Sequence, residues 1–206
     1  MTDAADWNEL LTQIRACTAC VPRLPLGPKP ILSASPTARL LITSQAPGRR
    51  AHEAGRTFAD ASGDRLRAWL GLTPDVFYDS SRVAIIPMGM CYPGTQASGG
   101  DILPEARCSA TWHPPLLSHL SRVRLTLLVG RLAQLRYLPD PRRSMSEAVA
   151  DWRSYLPRYV PLPHPSWRTL GWARRNPWFE AEMLPELRVR IADILSSASP
   201  LPRKAD

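Results

Sequence analysis

The sequence predicts an α/β protein, a three-layer α/β/α sandwich with a central, mainly parallel sheet of four strands. Three observations predict it. Four short apolar segments (38–43, 83–86, Leu125–Val129 and Tyr159–Leu162) read as strands buried on both faces, without the alternation of a half-exposed sheet. Segments of helical spacing separate them, the order that gives parallel strands and crossover helices. The 206 residues suffice for one full core, and no internal repeat or second domain shows.

The elements follow in chain order. A first helix is expected over 6–16, with Trp7, Leu10, Leu11 and Ile14 at helical spacing and Asp6 as its cap. A Pro-rich connection, 21–37, leads to the first strand, which runs into Ser44-Gln-Ala-Pro-Gly48. A second helix fits 62–70 through Leu66, Trp69 and Leu70. The strand 83–86 ends in a Pro/Gly-rich loop, 87–104. Helix 106–120, the third strand and helix 132–138 come next. Residues 144–155 read as helix, followed by the fourth strand and a long closing helix over 177–196. In parallel sheets the ligand sits beyond the carboxyl ends of the strands. Those ends carry Gln45–Gly48, Pro87–Cys91 and His164–Trp167, so the three loops are expected to meet at one site.

Charge and composition narrow the function. Lys plus Arg number 26 against 18 Asp plus Glu, a net charge of +8, which suits a polyanionic partner. The only lysines are Lys29, in the Pro-rich segment, and Lys204, near the C-terminus, so a buried Schiff-base lysine is not expected. Proline is abundant, 22 residues against a usual share of about 5%, but scattered, which implies ordered loops and not a low-complexity chain. No apolar run approaches the roughly 18 residues of a membrane span, and MTDAADWNEL has no secretory core, so a cytoplasmic, nucleoid-associated protein is expected. Nothing marks an oligomer interface, and a monomer is expected.

Four cysteines form two pairs: Cys17 and Cys20 in a C-x2-C at a helix end, and Cys91 and Cys108, both beside loops. In a cytoplasmic chain, shared metal ligation is the better reading than disulfides. Zinc and a [4Fe–4S] cluster both accept four thiolates, and composition does not choose between them.

Taken in order, Cys17/Cys20, Ser44-Gln-Ala-Pro-Gly48, Gly55-Arg-Thr-Phe58, Cys91, Cys108 and His164-Pro-Ser166 resemble the motifs of the iron–sulfur (family 4-type) uracil-DNA glycosylases. Those enzymes carry C-x2-C, G-E-A-P-G, G-x-P-F, two further cysteines and a late H-P-S loop. The resemblance covers most of the chain and implies a uracil-DNA glycosylase-like fold. It also implies a [4Fe–4S] cluster of structural role on Cys17, Cys20, Cys91 and Cys108, clamped between the N-terminal segment and the 87–108 loop. The activity implied is that of a monofunctional DNA glycosylase, which removes uracil or another damaged base and leaves an abasic site. The partner implied is DNA containing that base, and a catalytically silent, lesion-binding relative is the alternative.

Such an enzyme must extrude its base from the stack and stabilise the departing anion. His164, held on a loop by Pro165, is suited to hydrogen-bond the carbonyl oxygen where that charge develops. By the resemblance, Phe58 stacks on the flipped base. Gln45 offers donor and acceptor to a pyrimidine edge, with Ala46 and its loop backbone completing the pocket. Arg49 and Arg50 on one lip, and Ser166, Arg168, Arg174 and Arg175 on the other, are expected at phosphates; Trp167 or Leu170 is placed to fill the gap a flipped base leaves. Trp172 and Trp178 are expected to pack on the closing helix.

Three positions depart from the motifs. Gln45 stands in place of Glu, Pro87 or Met88 in place of the Asn that closes the second motif, and Asp60 in place of a Gly. Asp60 and His52 are therefore candidates to supply acid/base or water-positioning chemistry. Asp60 also stands where a helix N-cap belongs, and His52 lies on a segment read as loop.

Overall fold

The computed structural model describes residues 4–97 and 99–196 of the chain. Its centre is a four-stranded sheet of β1 (Leu40–Thr43), β2 (Val83–Ile85), β3 (Leu125–Val129) and β4 (Tyr159–Leu162). The order is β2-β1-β3-β4 and every pair is parallel, with Leu40 opposite both Val83 and Leu125 and Thr126 opposite Tyr159. Strands β1, β2 and β3 are buried throughout, and β4 from Val160 onward. That double coverage is why they read as unbroken apolar runs.

Successive side chains point to opposite faces, and each face has its own helices. Leu40 and Ile42 of β1 join Leu66, Trp69 and Leu70 of α3 (Ala61–Leu70), Phe77 of α4 (Pro74–Tyr78) and Leu184, Leu187 and Ile191 of α9 (Leu184–Ser196). Leu41 points the other way, to Trp7, Leu10 and Ile14 of α1 (Ala4–Arg15), Leu116 of α5 (Ala106–His119) and Leu120 just after it. A smaller cluster under β3 joins Leu128 to Ala133 of α6 (Arg131–Tyr137) and Ala148 of α7 (Met145–Ala150). Each large apolar side chain so buried contributes about 1.5–3 kcal/mol. The edge of β2 is covered by the Pro-rich connection. Ser33 pairs antiparallel with Ile85, and the Ile31 N–H donates to the Met90 carbonyl at 2.7 Å. This pairing draws the N-terminal cysteines toward Cys91.

The strand order reverses between β1 and β3, and a crevice opens beyond their carboxyl ends. Three short helices there and nearby escape the periodicity, because five or six residues are too few to show a stripe: α2 (Arg49–Ala54), α4 and α8 (Leu170–Arg175). The segment 144–155 is not one helix. Ser144 and Glu147 form a capping box on α7, which ends at Ala150, and a 3-10 turn, Trp152–Tyr155, follows. The closing segment 177–196 is likewise divided, with a π turn over Phe179–Met183 before α9. Asp6 lies within the first turn of α1 rather than capping it, since that helix already begins at Ala4. Among the described residues no helix is long and apolar enough to cross a membrane.

Candidate functional site

The loops after β1, β2 and β4 do meet. Ala46, Pro47 and Gly48 after β1, Pro87 after β2, and His164, Ser166, Trp167 and Arg168 after β4 line one cleft of about 210 Å³. Thr57, Phe58 and Asp60 form a further wall, and Gly99 and Asp101 close it from the loop after β2. At roughly 30 Å³ per water, the cleft holds about seven waters' worth of space, the scale of one nucleobase.

His164 is held from several sides. Its carbonyl accepts from the Ser166 N–H at 2.8 Å and from the Thr169 hydroxyl, and the Pro165 carbonyl accepts from Arg65 Nη1 at 3.0 Å. Gly130, at φ 84°, backs the ring: a Cβ there would lie 3.4 Å from the His164 Cβ, so the loop after β3 keeps room for the imidazole. Burial pushes the His164 pKa below its ordinary value, against the opposing pull of Asp101 and Asp60. The ring is therefore neutral at pH 7.

Phe58 is buried, edge-on to Phe77 with ring centroids 6.0 Å apart, yet it also lines the cleft. Its φ of 55° is a strained conformation for a residue with a side chain. Two contacts hold it. The Tyr78 hydroxyl donates to the Phe58 carbonyl at 2.9 Å, and Gly63 packs against that carbonyl so closely that a Cβ would stand 1.8 Å from the oxygen. Gly63→Ala is therefore expected to destabilise the fold by about 1–3 kcal/mol or more, by overpacking, and to displace the Phe58 wall. Denaturant unfolding of the variant measures it; an unchanged midpoint would mean that this contact yields freely.

Asp60 is the N-cap of α3, its Oδ1 accepting from the Gly63 N–H at 3.0 Å, and it lines the cleft as well. Gln45 is half-buried, and its carbonyl accepts from the Gly89 N–H at 2.9 Å; its side chain is not among the groups lining the cleft. His52 lies on α2, not on a loop, and it is buried away from the cleft against Tyr92, with ring centroids 5.9 Å apart. Burial, then Lys29, lowers its pKa. Lys29 itself is engaged, its Nζ donating to the His52 carbonyl at 2.6 Å, while Lys204 lies outside the described residues.

Several groups at the site gave no signal in the sequence. His113, buried in α5, reaches the Pro87 carbonyl through Nε2 at 2.9 Å and the Tyr137 hydroxyl through Nδ1. Burial raises the Tyr137 pKa to about 12 and lowers that of His113. The phenol thus donates to Nδ1, and Nε2–H donates to Pro87, fixing the peptide at the cleft floor. The Thr57 hydroxyl is buried beside the cleft, without a hydrogen-bond partner among the described residues. Arg65, on the polar face of α3, and Asp101, in a loop, have positions that only the tertiary fold defines.

Trp167 is 71% exposed at the rim of the cleft, and Leu170 is exposed beside it. Arg49, Arg50, Arg174 and Arg175 are exposed, whereas Arg168 Nη2 donates to the Gly99 carbonyl at 2.9 Å across the cleft. Trp172 packs inward, its indole N–H donating to Ser146 Oγ at 2.7 Å, with Trp178 edge-on at 5.9 Å.

All four cysteines line a second cavity, of about 460 Å³, walled by Ile14, Met90, Pro104 and Trp112. None forms a disulfide. The Met90 N–H donates to Cys108 Sγ at 3.4 Å. Burial raises the pKa of Cys20 and Cys91, and that of Cys108 to about 11. Among the described residues no three His, Cys, Asp or Glu side chains gather closely enough to hold a single metal ion.

A family model described as the uracil DNA glycosylase superfamily matches residues 33–188. That span is well over half of the chain and includes every cleft residue, Cys91 and Cys108, while Cys17 and Cys20 precede it. The parallel sheet, the crevice at its switch point and this match agree, and the chain belongs to the uracil DNA glycosylase superfamily.

Proposed function

We propose that the protein is a monofunctional DNA glycosylase that hydrolyses the N-glycosidic bond of uracil or another damaged base in DNA. The observation that carries the reading is the placement of His164, on a backbone held by Ser166, Thr169 and Arg65, in a nucleobase-sized cleft that Phe58 also lines. In this reading the extruded base lies against Phe58, and the backbone of Ala46–Gly48 meets its edge. The His164 N–H donates to the carbonyl oxygen that gains charge as the bond breaks, where a preorganised donor is worth most. No lysine borders the cleft among the described residues, so the product is an abasic site in an uncut strand.

The rim supports the same reading. Arg49 and Arg50 on α2 face phosphates on one side, Ser166, Arg174 and Arg175 on the other, and exposed Trp167 occupies the gap left in the stack. DNA affinity is therefore expected to fall steeply with salt, with a log–log slope that shrinks by about one for each phosphate-binding Arg replaced by Ala. Anisotropy titrations from low to high salt measure it, and a flat response would exclude phosphate contacts.

The four cysteines suit a [4Fe–4S] cluster. All four thiols border one cavity, and the Met90 N–H points at Cys108 Sγ. Cys17, Cys20, Cys91 and Cys108 would hold the cluster, which supplies structural cross-linking between the N-terminal segment and the loop after β2. That arrangement would place the chain nearest the iron–sulfur, family 4-type enzymes.

One observation favours a second reading, a lesion-binding protein without turnover. Neither the Gln45 side chain nor any Asn lines the cleft. Base release separates the two. The protein, with its metal content determined, is incubated with oligonucleotides carrying uracil, hypoxanthine, xanthine or oxidised or alkylated pyrimidines, single- and double-stranded. Free base and an abasic strand support the glycosylase; selective binding with no release from any lesion supports the silent relative.

A further inference from the structure

The cleft contains a carboxylate that neither the family motifs nor the sequence pattern points to. Asp101 lines it together with His164, and the two are close enough to interact electrostatically. Its placement is built. Thr95 and Asp101 pair antiparallel, the Gln96 N–H donates to the Gly100 carbonyl at 2.6 Å, and the Ile102 N–H to Gly94 at 3.0 Å. Arg168 reaches across and holds the Gly99 carbonyl, tying this small hairpin to the loop that bears His164. The Asp101 carboxylate itself makes no hydrogen bond or ion pair among the described residues. An unpaired anion at the mouth of a cleft that receives phosphates opposes binding by Coulomb repulsion. Its presence there calls for a chemical use.

Resting on the glycosylase reading, we infer that Asp101 is the carboxylate that orients the attacking water and receives its proton. As the bond from C1′ to the base nitrogen breaks, its electron pair leaves with the base, whose oxygen His164 hydrogen-bonds. The sugar becomes cationic, and the water oxygen bonds to C1′. The proton that the water sheds passes to Asp101 and then, through solvent, to the departed base. A carboxylate serves twice here, because its charge also stabilises the cationic sugar.

Asp60, the other carboxylate of the cleft, is committed elsewhere. Its Oδ1 caps α3 and its Oδ2 faces Gly48, where a Cβ would lie 3.8 Å away. The two are separable by experiment, since Asn caps a helix as well as Asp does. Single-turnover base release by wild type, Asp101→Asn and Asp60→Asn is compared on the best substrate of the lesion panel. Affinity is measured in parallel with an uncleavable analogue of that substrate, and Asp101→Ala is assayed with and without sodium formate.

The expected result is a loss of about 30- to 100-fold for Asp101→Asn with affinity within threefold of wild type or tighter. Asp60→Asn is expected to lose less than tenfold, and formate to restore part of the Asp101→Ala rate. An Asp101→Asn rate within threefold of wild type, a loss explained by weaker binding, or no formate rescue would overturn the assignment while leaving the glycosylase reading intact. Absence of release by wild type from every lesion would overturn both. Asp101 is exposed, so its variants are expected to fold, which circular dichroism checks.

Discussion

His164→Ala is expected to lower single-turnover base release about 100- to 1000-fold, the usual cost of removing one donor from a preorganised anion site. DNA affinity is expected to stay nearly unchanged, because the phosphate contacts are proposed for the exposed Arg49, Arg50, Arg174 and Arg175 and not for His164. The structure says why the effect is large. Ser166, Thr169 and, through Pro165, Arg65 fix the backbone on which His164 sits, so the donor needs no reorganisation as charge develops. His164→Gln, which keeps a donor on a longer, less constrained stem, is expected to retain more activity than Ala. Equal losses in the two variants, or a loss confined to affinity, would remove His164 from the chemistry.

The pH dependence follows from the same geometry. Burial lowers the His164 pKa, so at neutral pH the donor is a neutral N–H. The rate is expected to be flat from about pH 7 to 8.5; a tenfold fall per unit would mean that an imidazolium is the acid. Stability shows the linked effect. His52, His113 and His164 are each held below their ordinary value of 6.5 in the folded state. The unfolded chain therefore takes up protons first as pH falls through that value, and stability present above it is lost on acidification. Thermal unfolding across this window measures the loss.

Most of the architecture was legible because burial on both faces leaves a plain trace in the chain. Leu125–Val129 cannot be mistaken for a half-exposed strand, and the strand ends predicted where the loops would meet. Short elements were not legible. Arg49–Ala54 reads as loop because one and a half turns carry no stripe, so the sequence does not show that α2 turns His52 inward to Tyr92. Gln45 illustrates a second limit: a motif places the backbone, but the direction of a side chain depends on what packs beside it. His113 and Asp101 illustrate a third. Each reaches the cleft from a segment whose own sequence is unremarkable, a proline-containing helix in one case and a glycine-rich hairpin in the other, and only the parallel sheet brings them to Pro87 and His164.

The cysteines carry the largest expected effect on stability. Cys108→Ala, and separately Cys17→Ala, are expected to abolish the brown absorption of an iron–sulfur cluster and to cost about 4 kcal/mol or more, since ligation free energy is folding free energy. At about 2–4 °C per kcal/mol for a chain of this size, the melting temperature is expected to fall by about 8–16 °C. The comparison is informative because a buried thiol that ligates nothing behaves as a small hydrophobe, and trimming it to Ala costs far less. Cys17 makes the sharper test, being half-exposed and not in the central core. A loss of that size on replacing it is the expected signature of a cross-link between the N-terminal segment and the loop after β2. That loop runs on from Cys91 to Asp101, so losing the cross-link is also expected to loosen the hairpin that closes the cleft and to slow base release. Colourless wild-type protein with stoichiometric zinc would replace the cluster with an ion while keeping the cross-link. Variants as stable as wild type would show that the four thiols hold nothing.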